Sequence, residues 1–265
     1  VAGIENVFGE AAGDNLAGDS GSNLLVGGAG DDTILGMSGD DTIRGSAGFD
    51  NLDGGSPEDM IFGGVQNDIL QGGLDDDSFI LIDDDDDFDV NTELIGGGND
   101  TLDLSAMASD LTLNIGPILD FNLSLGGNMA DASNQIEKIL LGQANDSLVF
   151  ADGASVPGTI DGGLGTNSLD YVAYTTSVSV DLTAGTATGT SAITSFVNVT
   201  GGSANDTITG GDKANILDGR SGDDTIRGAG GDDILIGGTT NYDDPLDPTQ
   251  LAALVSLRLE WISTT

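Results

Sequence analysis

The chain contains no histidine and no cysteine. Their absence removes Ser-His and Cys-His catalysis, His-ligated zinc, thiolate metal sites and disulfides together. Basic residues are scarce as well, with 6 Lys and Arg set against 45 Asp and Glu for a net charge of −39. A polyanion of this kind repels DNA, RNA and anionic lipid, so no nucleic-acid partner is expected. No apolar run approaches the roughly 20 residues of a membrane span, so no membrane insertion is expected either. No charged-then-apolar leader opens the sequence at Val1, and the chain is expected to be a piece of a longer parent with neighbouring domains. Proline is rare at 5 residues.

What is present is equally skewed. The 39 Asp outnumber the 6 Glu and stand beside 43 Gly. Asp and Gly favour turns over helices, so long helices are not expected. Apolar residues still make up 38% of the chain, enough for a core. Six basic side chains cannot pair 45 carboxylates. A compact state therefore needs bound cations, and crowded carboxylates select hard, oxygen-seeking ions such as calcium.

The order of these residues is periodic. From Gly9 a glycine falls at every ninth position: Gly9, Gly18, Gly27, Gly36, Gly45, Gly54, Gly63 and Gly72. The sixth position of each nonapeptide is Asp14, Asn23, Asp32, Asp41, Asp50, Asp59, Asp68 or Asp77, and the eighth is Leu16, Leu25, Ile34, Ile43, Leu52, Ile61, Leu70 or Phe79. The register returns between Gly201 and Ile236, with Asp206, Asn215, Asp224 and Asp233 at position six. Between the two blocks it survives as echoes around Asp100, Asp146 and Asn167. Alternating stretches at Leu111 to Ile115 and Val178 to Leu182 separate these echoes and are expected to be longer strands on the same solenoid.

The segments GGAGDDTIL and GRSGDDTIR resemble the GGxGxDxUx nonapeptides of the repeats-in-toxin (RTX) family, the hemolysin-type calcium-binding repeats. The resemblance implies an all-β parallel β-roll, a β-helix-like solenoid in which two nonapeptides make one coil. In each repeat a six-residue turn precedes a three-residue strand. It further implies several calcium ions, about 6–12, each held between a turn and the turn 18 residues later. The implied metal ligands are the position-six side chains named above, with Asp100 and Asp146 added. Turn glycines would add carbonyl donors: Gly27, Gly36, Gly45, Gly54, Gly63, Gly72, Gly219 and Gly228 at position one, Gly28 and Gly202 at position two, Gly30, Gly39 and Gly48 at position four, and Gly230. Sites built on Asn23, Asn215, Pro57, Gln66, Asp75 or Lys213 depart from the pattern and are expected to be weaker.

The period also has its own physical logic. Stacking at 18 residues sorts position six into two rows, Asp14, Asp32, Asp50 and Asp68 on one edge and Asn23, Asp41, Asp59 and Asp77 on the other. The C-terminal block pairs Asp206 with Asp224 and Asn215 with Asp233. Glycine at positions one, two and four fits turns that need positive φ. One large apolar residue per nine makes a thin core, whose burial at ~25 cal/mol/Å² cannot offset ~1–2 kcal/mol of backbone entropy per residue. Calcium binding is therefore expected to supply the folding free energy.

Four segments follow from this reading: an N-terminal roll at 1–80, an irregular β-solenoid with degenerate repeats at 81–200, a C-terminal roll at 201–238, and a helical cap or junction at 239–265. Asp247, Pro248 and Gln250 form a helix-start signature, followed by Leu251, Leu254, Val255 and Ile262 on one face. The Asp83 to Asp87 run is read as a solvated break, because Phe88 and Leu94 defeat an EF-hand register. Tyr171, Tyr174 and Phe196 are read as core in preference to a sugar platform.

The expected function is a calcium-binding, secreted, cell-surface structural or adhesive module that rigidifies on calcium and assembles end to end into a layer or filament. The alternative is a non-catalytic accessory domain of a type I-secreted enzyme or toxin. The chain itself is not expected to be an enzyme. A polysaccharide lyase is disfavoured by the few basic residues and by Arg44 and Arg227 lying at strand position nine.

Overall fold

The computed structural model describes residues 5–66, 68–81, 93–94, 98–116, 121–124, 131–132 and 136–238. The Asp83 to Asp87 run and the expected helix within 239–265 lie outside them. Among the described residues there is no helix, and none is therefore long and apolar enough to cross a membrane.

Each nonapeptide contributes one strand, and successive strands fall in alternate sheets. Strands 18 residues apart are consequently hydrogen-bonded neighbours, with Leu24 opposite Thr42, Leu25 opposite Ile43 and Val26 opposite Arg44. A nine-stranded sheet runs through Asn6–Phe8, Leu24–Ala29, Thr42–Ala47, Met60–Val65, Ser78–Ile80, Asp100–Asp103, Ile136–Leu140, Thr159–Asp161 and Ala192–Thr194. At the N-terminal end it is accompanied by a four-stranded sheet of Asn15–Ala17, Thr33–Leu35, Asn51–Gly55 and Ile69–Gly73. Further along the chain a seven-stranded sheet holds Thr112–Ile115, Ser147–Phe150, Asn167–Asp170, Phe196–Thr200, Ile216–Asp218 and Ile234–Ile236, with Phe121–Ser124 at its edge. The last coils add a four-stranded sheet of Thr186–Ala187, Ser179–Asp181, Thr207–Thr209 and Thr225–Arg227. Among the described residues nearly all pairings are parallel; the exceptions are Thr112–Ile115 with Phe121–Ser124 and Ser179–Asp181 with Thr186–Ala187. Ladders cross both block boundaries, pairing Phe79 with Leu102 and Val199 with Leu217.

Position eight supplies the core because it is the inward residue of a three-residue strand. Leu25, Ile34, Ile43, Leu52, Ile61, Leu70 and Phe79 are all fully buried. The middle of the chain packs more heavily. Phe150 stacks on Tyr171 at 4.8 Å, and Tyr174 meets Tyr171 edge-on at 5.2 Å. With Phe196 also buried, these aromatic residues are core.

Two local features differ from the sequence expectation. Strands of the long sheet such as Leu24–Ala29 and Thr42–Ala47 are six residues long, because pairing continues into the turn, with Gly28 opposite Ser46 and Ala29 opposite Ala47. The stretches expected as longer strands do lie on the solenoid but are short, four residues at Thr112–Ile115 and three at Ser179–Asp181. Each of them pairs with an antiparallel strand that follows it, Phe121–Ser124 and Thr186–Ala187.

Candidate metal centre

The position-six side chains stack as the 18-residue spacing requires. The backbone N–H of Asp14 donates to Asp32 Oδ1 at 2.7 Å, that of Asp32 to Asp50 Oδ1 at 2.8 Å, and that of Asp50 to Asp68 Oδ1 at 2.9 Å. On the other edge Asn23 donates to Asp41 Oδ1, Asp41 to Asp59 Oδ1, and Asp59 to Asp77 Oδ1. The C-terminal block repeats the bond from Asp206 to Asp224 and from Asn215 to Asp233. One oxygen of each interior carboxylate is thus committed to the preceding coil.

The second oxygen separates the turns into two kinds. Oδ2 of Asp32, Asp41, Asp50, Asp59, Asp77, Asp100 and Asp224 is buried and has no hydrogen-bond partner. A buried carboxylate oxygen left in this way costs several kcal/mol unless a cation or proton meets it, about 1–3 kcal/mol even for a neutral group. In the turns of Asp14, Asn23, Asp146, Asp206 and Asn215 a backbone N–H closes the oxygen. Glu10 N–H donates to Asp14 Oδ2, Asp19 N–H to Asn23 Oδ1, Gly142 N–H to Asp146 Oδ2, Gly202 N–H to Asp206 Oδ2, and Gly211 N–H to Asn215 Oδ1.

The difference tracks the residue at turn position two. Gly28, Met37, Ser46, Gly55, Gly73 and Arg220 have φ between 63° and 117°, and their turns hold open oxygens. In this left-handed conformation the N–H turns elsewhere; that of Arg220 donates to Asp218 Oδ1 at 2.9 Å. Glu10, Asp19, Gly202 and Gly211 are not among the positive-φ residues, and their N–H groups reach the position-six side chain.

Position-one glycines serve the site differently from the sequence expectation. None of Gly27, Gly36, Gly45, Gly54, Gly63, Gly72, Gly219 or Gly228 has a positive φ. What excludes a side chain there is space. A Cβ on Gly45 would lie 2.6 Å from Gly63 O and closer still to Asp50 Oδ2, and one on Gly54 would lie 2.7 Å from Gly72 O and closer still to Asp59 Oδ2. The same point is faced by an open carboxylate oxygen and by the position-one carbonyl of the next coil. Position four does need the left-handed region: Gly30, Gly39 and Gly48 have φ of 115°, 101° and 141°, and each lies against backbone of the coil before it. Gln66 and Asp75 adopt φ of 79° and 71° in that slot without being glycine, a strain expected to weaken their turns. Gly230 packs over Asp212 and donates its N–H to Gly211 O at 3.0 Å.

Burial also acts on the charge of the stacked carboxyls, in open and closed turns alike. Burial pushes the carboxyls of Asp41, Asp50, Asp59 and Asp100 up to about 6 and those of Asp68 and Asp77 up to about 7. Backbone hydrogen bonds pull against this shift, and neighbouring carboxylates reinforce it. Asp146 and Asp206 are raised by burial too, against two backbone donors each.

One row extends beyond the residues expected from sequence. Asp77 N–H donates to Asp100 Oδ1 at 2.9 Å, and Asp100 N–H donates to Glu137 Oε2 at 2.9 Å. Glu137 therefore takes the place of the next Asp. It lies inside the strand Ile136–Leu140, where a register shift between Asp100 and Thr101 brings it opposite the row. No nonapeptide motif marks it.

Among the described residues no three carboxylates gather at one point. The donor set of an open turn is instead a single buried carboxylate oxygen facing a backbone carbonyl. All of these donors are hard oxygens with charge left over, which fits calcium and gives no softer metal a ligand. No curated protein matches the chain. The family model of the RTX calcium-binding nonapeptide repeat, four copies in length, matches residues 8–43, 35–70, 44–79, 54–88 and 200–235.

Proposed function

Since residues 8–88 and 200–235 are RTX calcium-binding nonapeptide repeats, we propose that this chain is a non-catalytic, extracellular structural module whose N-terminal roll folds when its turns take up calcium. The supporting observation is the set of buried, unpartnered Oδ2 atoms of Asp32, Asp41, Asp50, Asp59 and Asp77, one above another along the two edges of the roll. Bound calcium would supply positive charge beside the open carboxylate oxygens of these turns. The protein's part is to hold each carboxylate in place by the N–H of the coil before it, and to keep the space beside it clear by a position-one glycine. Millimolar calcium outside cells suits such turns, and RTX repeats are typical of secreted proteins.

The finer role is scaffold or adhesin, with association end to end. It is supported by the sheet edges: among the described residues Asn6–Phe8 and Ile234–Ile236 each pair on one side, and Leu235, in a core position, is 48% exposed. Open edges of this kind template pairing with another chain. Far-UV circular dichroism during a calcium titration of chelated protein tests the folding claim. A large gain in β signal is expected, and full β structure in excess chelator would refute it. Electron microscopy with and without chelator tests assembly; particles that stay single in millimolar calcium would leave a soluble module.

A further inference from the structure

The turn at residues 162–167 is built like the open turns but is filled by the protein itself. Asn167 is fully buried. Its Oδ1 accepts the N–H of Asp146 at 2.8 Å, as Oδ1 of each row Asp accepts the N–H of the coil before. Its Nδ2 therefore occupies the place of Oδ2. There its two hydrogens are shared among three acceptors, Gly162 O, Leu164 O at 3.0 Å and Ser195 O at 3.0 Å. A Cβ on Gly162 would meet Asn167 Nδ2 at 2.8 Å and Ser195 O at 2.9 Å, the counterparts of Asp50 Oδ2 and Gly63 O beside Gly45. With three carbonyl oxygens around one terminal atom and a backbone N–H at the other, only this orientation of the amide satisfies both ends. An NH₂ group in that seat turns its hydrogens toward the carbonyls and presents no side-chain oxygen and no negative charge to a cation.

The neighbouring turns are closed as well. Asp146 accepts N–H donors from Leu111 and Gly142, Asp206 accepts them from Val178 and Gly202, and Asn215 accepts from Gly211 while donating to Val197 O. The same stretch carries the Phe150, Tyr171 and Tyr174 stack, a thicker core than one residue per repeat allows.

We propose that the Asn167 amide stands in for the cation in its turn, and that residues 136–218 form a calcium-independent block against which the calcium-dependent N-terminal coils assemble. The contrast rests on the calcium reading of the open turns. Hydrogen exchange of the full chain, in chelator and in millimolar calcium, tests it. In chelator the amides of Ser147–Phe150, Asn167–Asp170 and Phe196–Thr200 should keep protection within about tenfold of their calcium values, while those of Leu24–Ala29 and Thr42–Ala47 exchange freely. Loss of protection in both regions overturns the proposal and leaves the calcium reading standing. Protection of both in chelator overturns the calcium reading, and with it the contrast. Asn167→Asp supplies the second arm. It should bind one more calcium ion than the parent by titration calorimetry, with protection at 162–170 now dependent on calcium; a folded variant with no additional ion overturns the assignment of the seat. Should this variant fail to fold, the exchange pattern of the parent chain decides alone.

Discussion

Asp50 offers the sharpest perturbation of an open turn, because its two oxygens have separate duties. Oδ1 accepts the Asp32 N–H at 2.8 Å, and Oδ2 faces Gly63 O with no partner. Asp50→Asn keeps an oxygen for Asp32 and turns an NH₂ toward the Gly63 carbonyl, reproducing what Asn167 does toward Ser195. Asp50→Ala removes both and strands the buried Asp32 N–H, at a cost of about 1–3 kcal/mol. In millimolar calcium both variants should bind one ion fewer than the parent. Asp50→Ala should then unfold about 1–3 kcal/mol more easily than Asp50→Asn in urea. In metal-free buffer near neutrality the ranking against the parent reverses for Asp50→Asn. Burial holds the Asp50 carboxyl near a pKa of 6, and removing that charge contributes about 1 kcal/mol once solvent screening is allowed for. Calorimetry for ion count and dichroism-monitored urea melts make the comparison. Equal destabilisation by Asn and Ala, or an unchanged ion count in Asp50→Asn, would refute the division of duties between the two oxygens.

Gly54→Ala should cost one ion and about 1–3 kcal/mol of overpacking, since the added methyl enters the space beside Asp59 Oδ2. Gly153→Ala, whose Cβ meets nothing within 4 Å, is the control and should leave the ion count unchanged although its φ of 71° adds strain. A Gly54→Ala protein with the full ion count would show that the cation sits elsewhere. The metal-free roll should also respond to pH. Asp41, Asp50, Asp59, Asp68, Asp77 and Asp100 have folded values of about 6 to 7 against 3.8 in the open chain, so the folded state binds more protons. Their contribution to stability is complete below about pH 4 and is lost as pH rises through 6 to 7. Metal-free protein should accordingly gain β signal on acidification from pH 8 to about 4.5; a signal that falls over this range would contradict the open-oxygen geometry.

The sequence by itself, through its nonapeptide period and the parallel roll that its likeness to RTX repeats implies, determined the buried position-eight row from Leu25 to Phe79 and the two edges on which the position-six residues stack. With two repeats to a coil, a fixed period of nine places each interior residue between neighbours 18 positions before and 18 positions after it. Only the tertiary structure decided which carboxylate oxygens stay open. Gly28 and Gly202 are the same residue in the same slot, yet Gly28 is left-handed and leaves Asp32 Oδ2 bare, while Gly202 turns its N–H onto Asp206. That choice depends on the coil alongside, where Gly28 continues the ladder opposite Ser46. The need for glycine at position one was visible, but its cause was not, because the atoms a Cβ would strike belong partly to the next coil. Glu137 and Asn167 were decided in the same way. One joins a row through a register shift far from any repeat, and the other points an amide where its neighbours point a carboxylate oxygen. A hydrogen-bonding group takes its role from the partners that surround it, and in a solenoid most of those partners lie a full coil away in sequence.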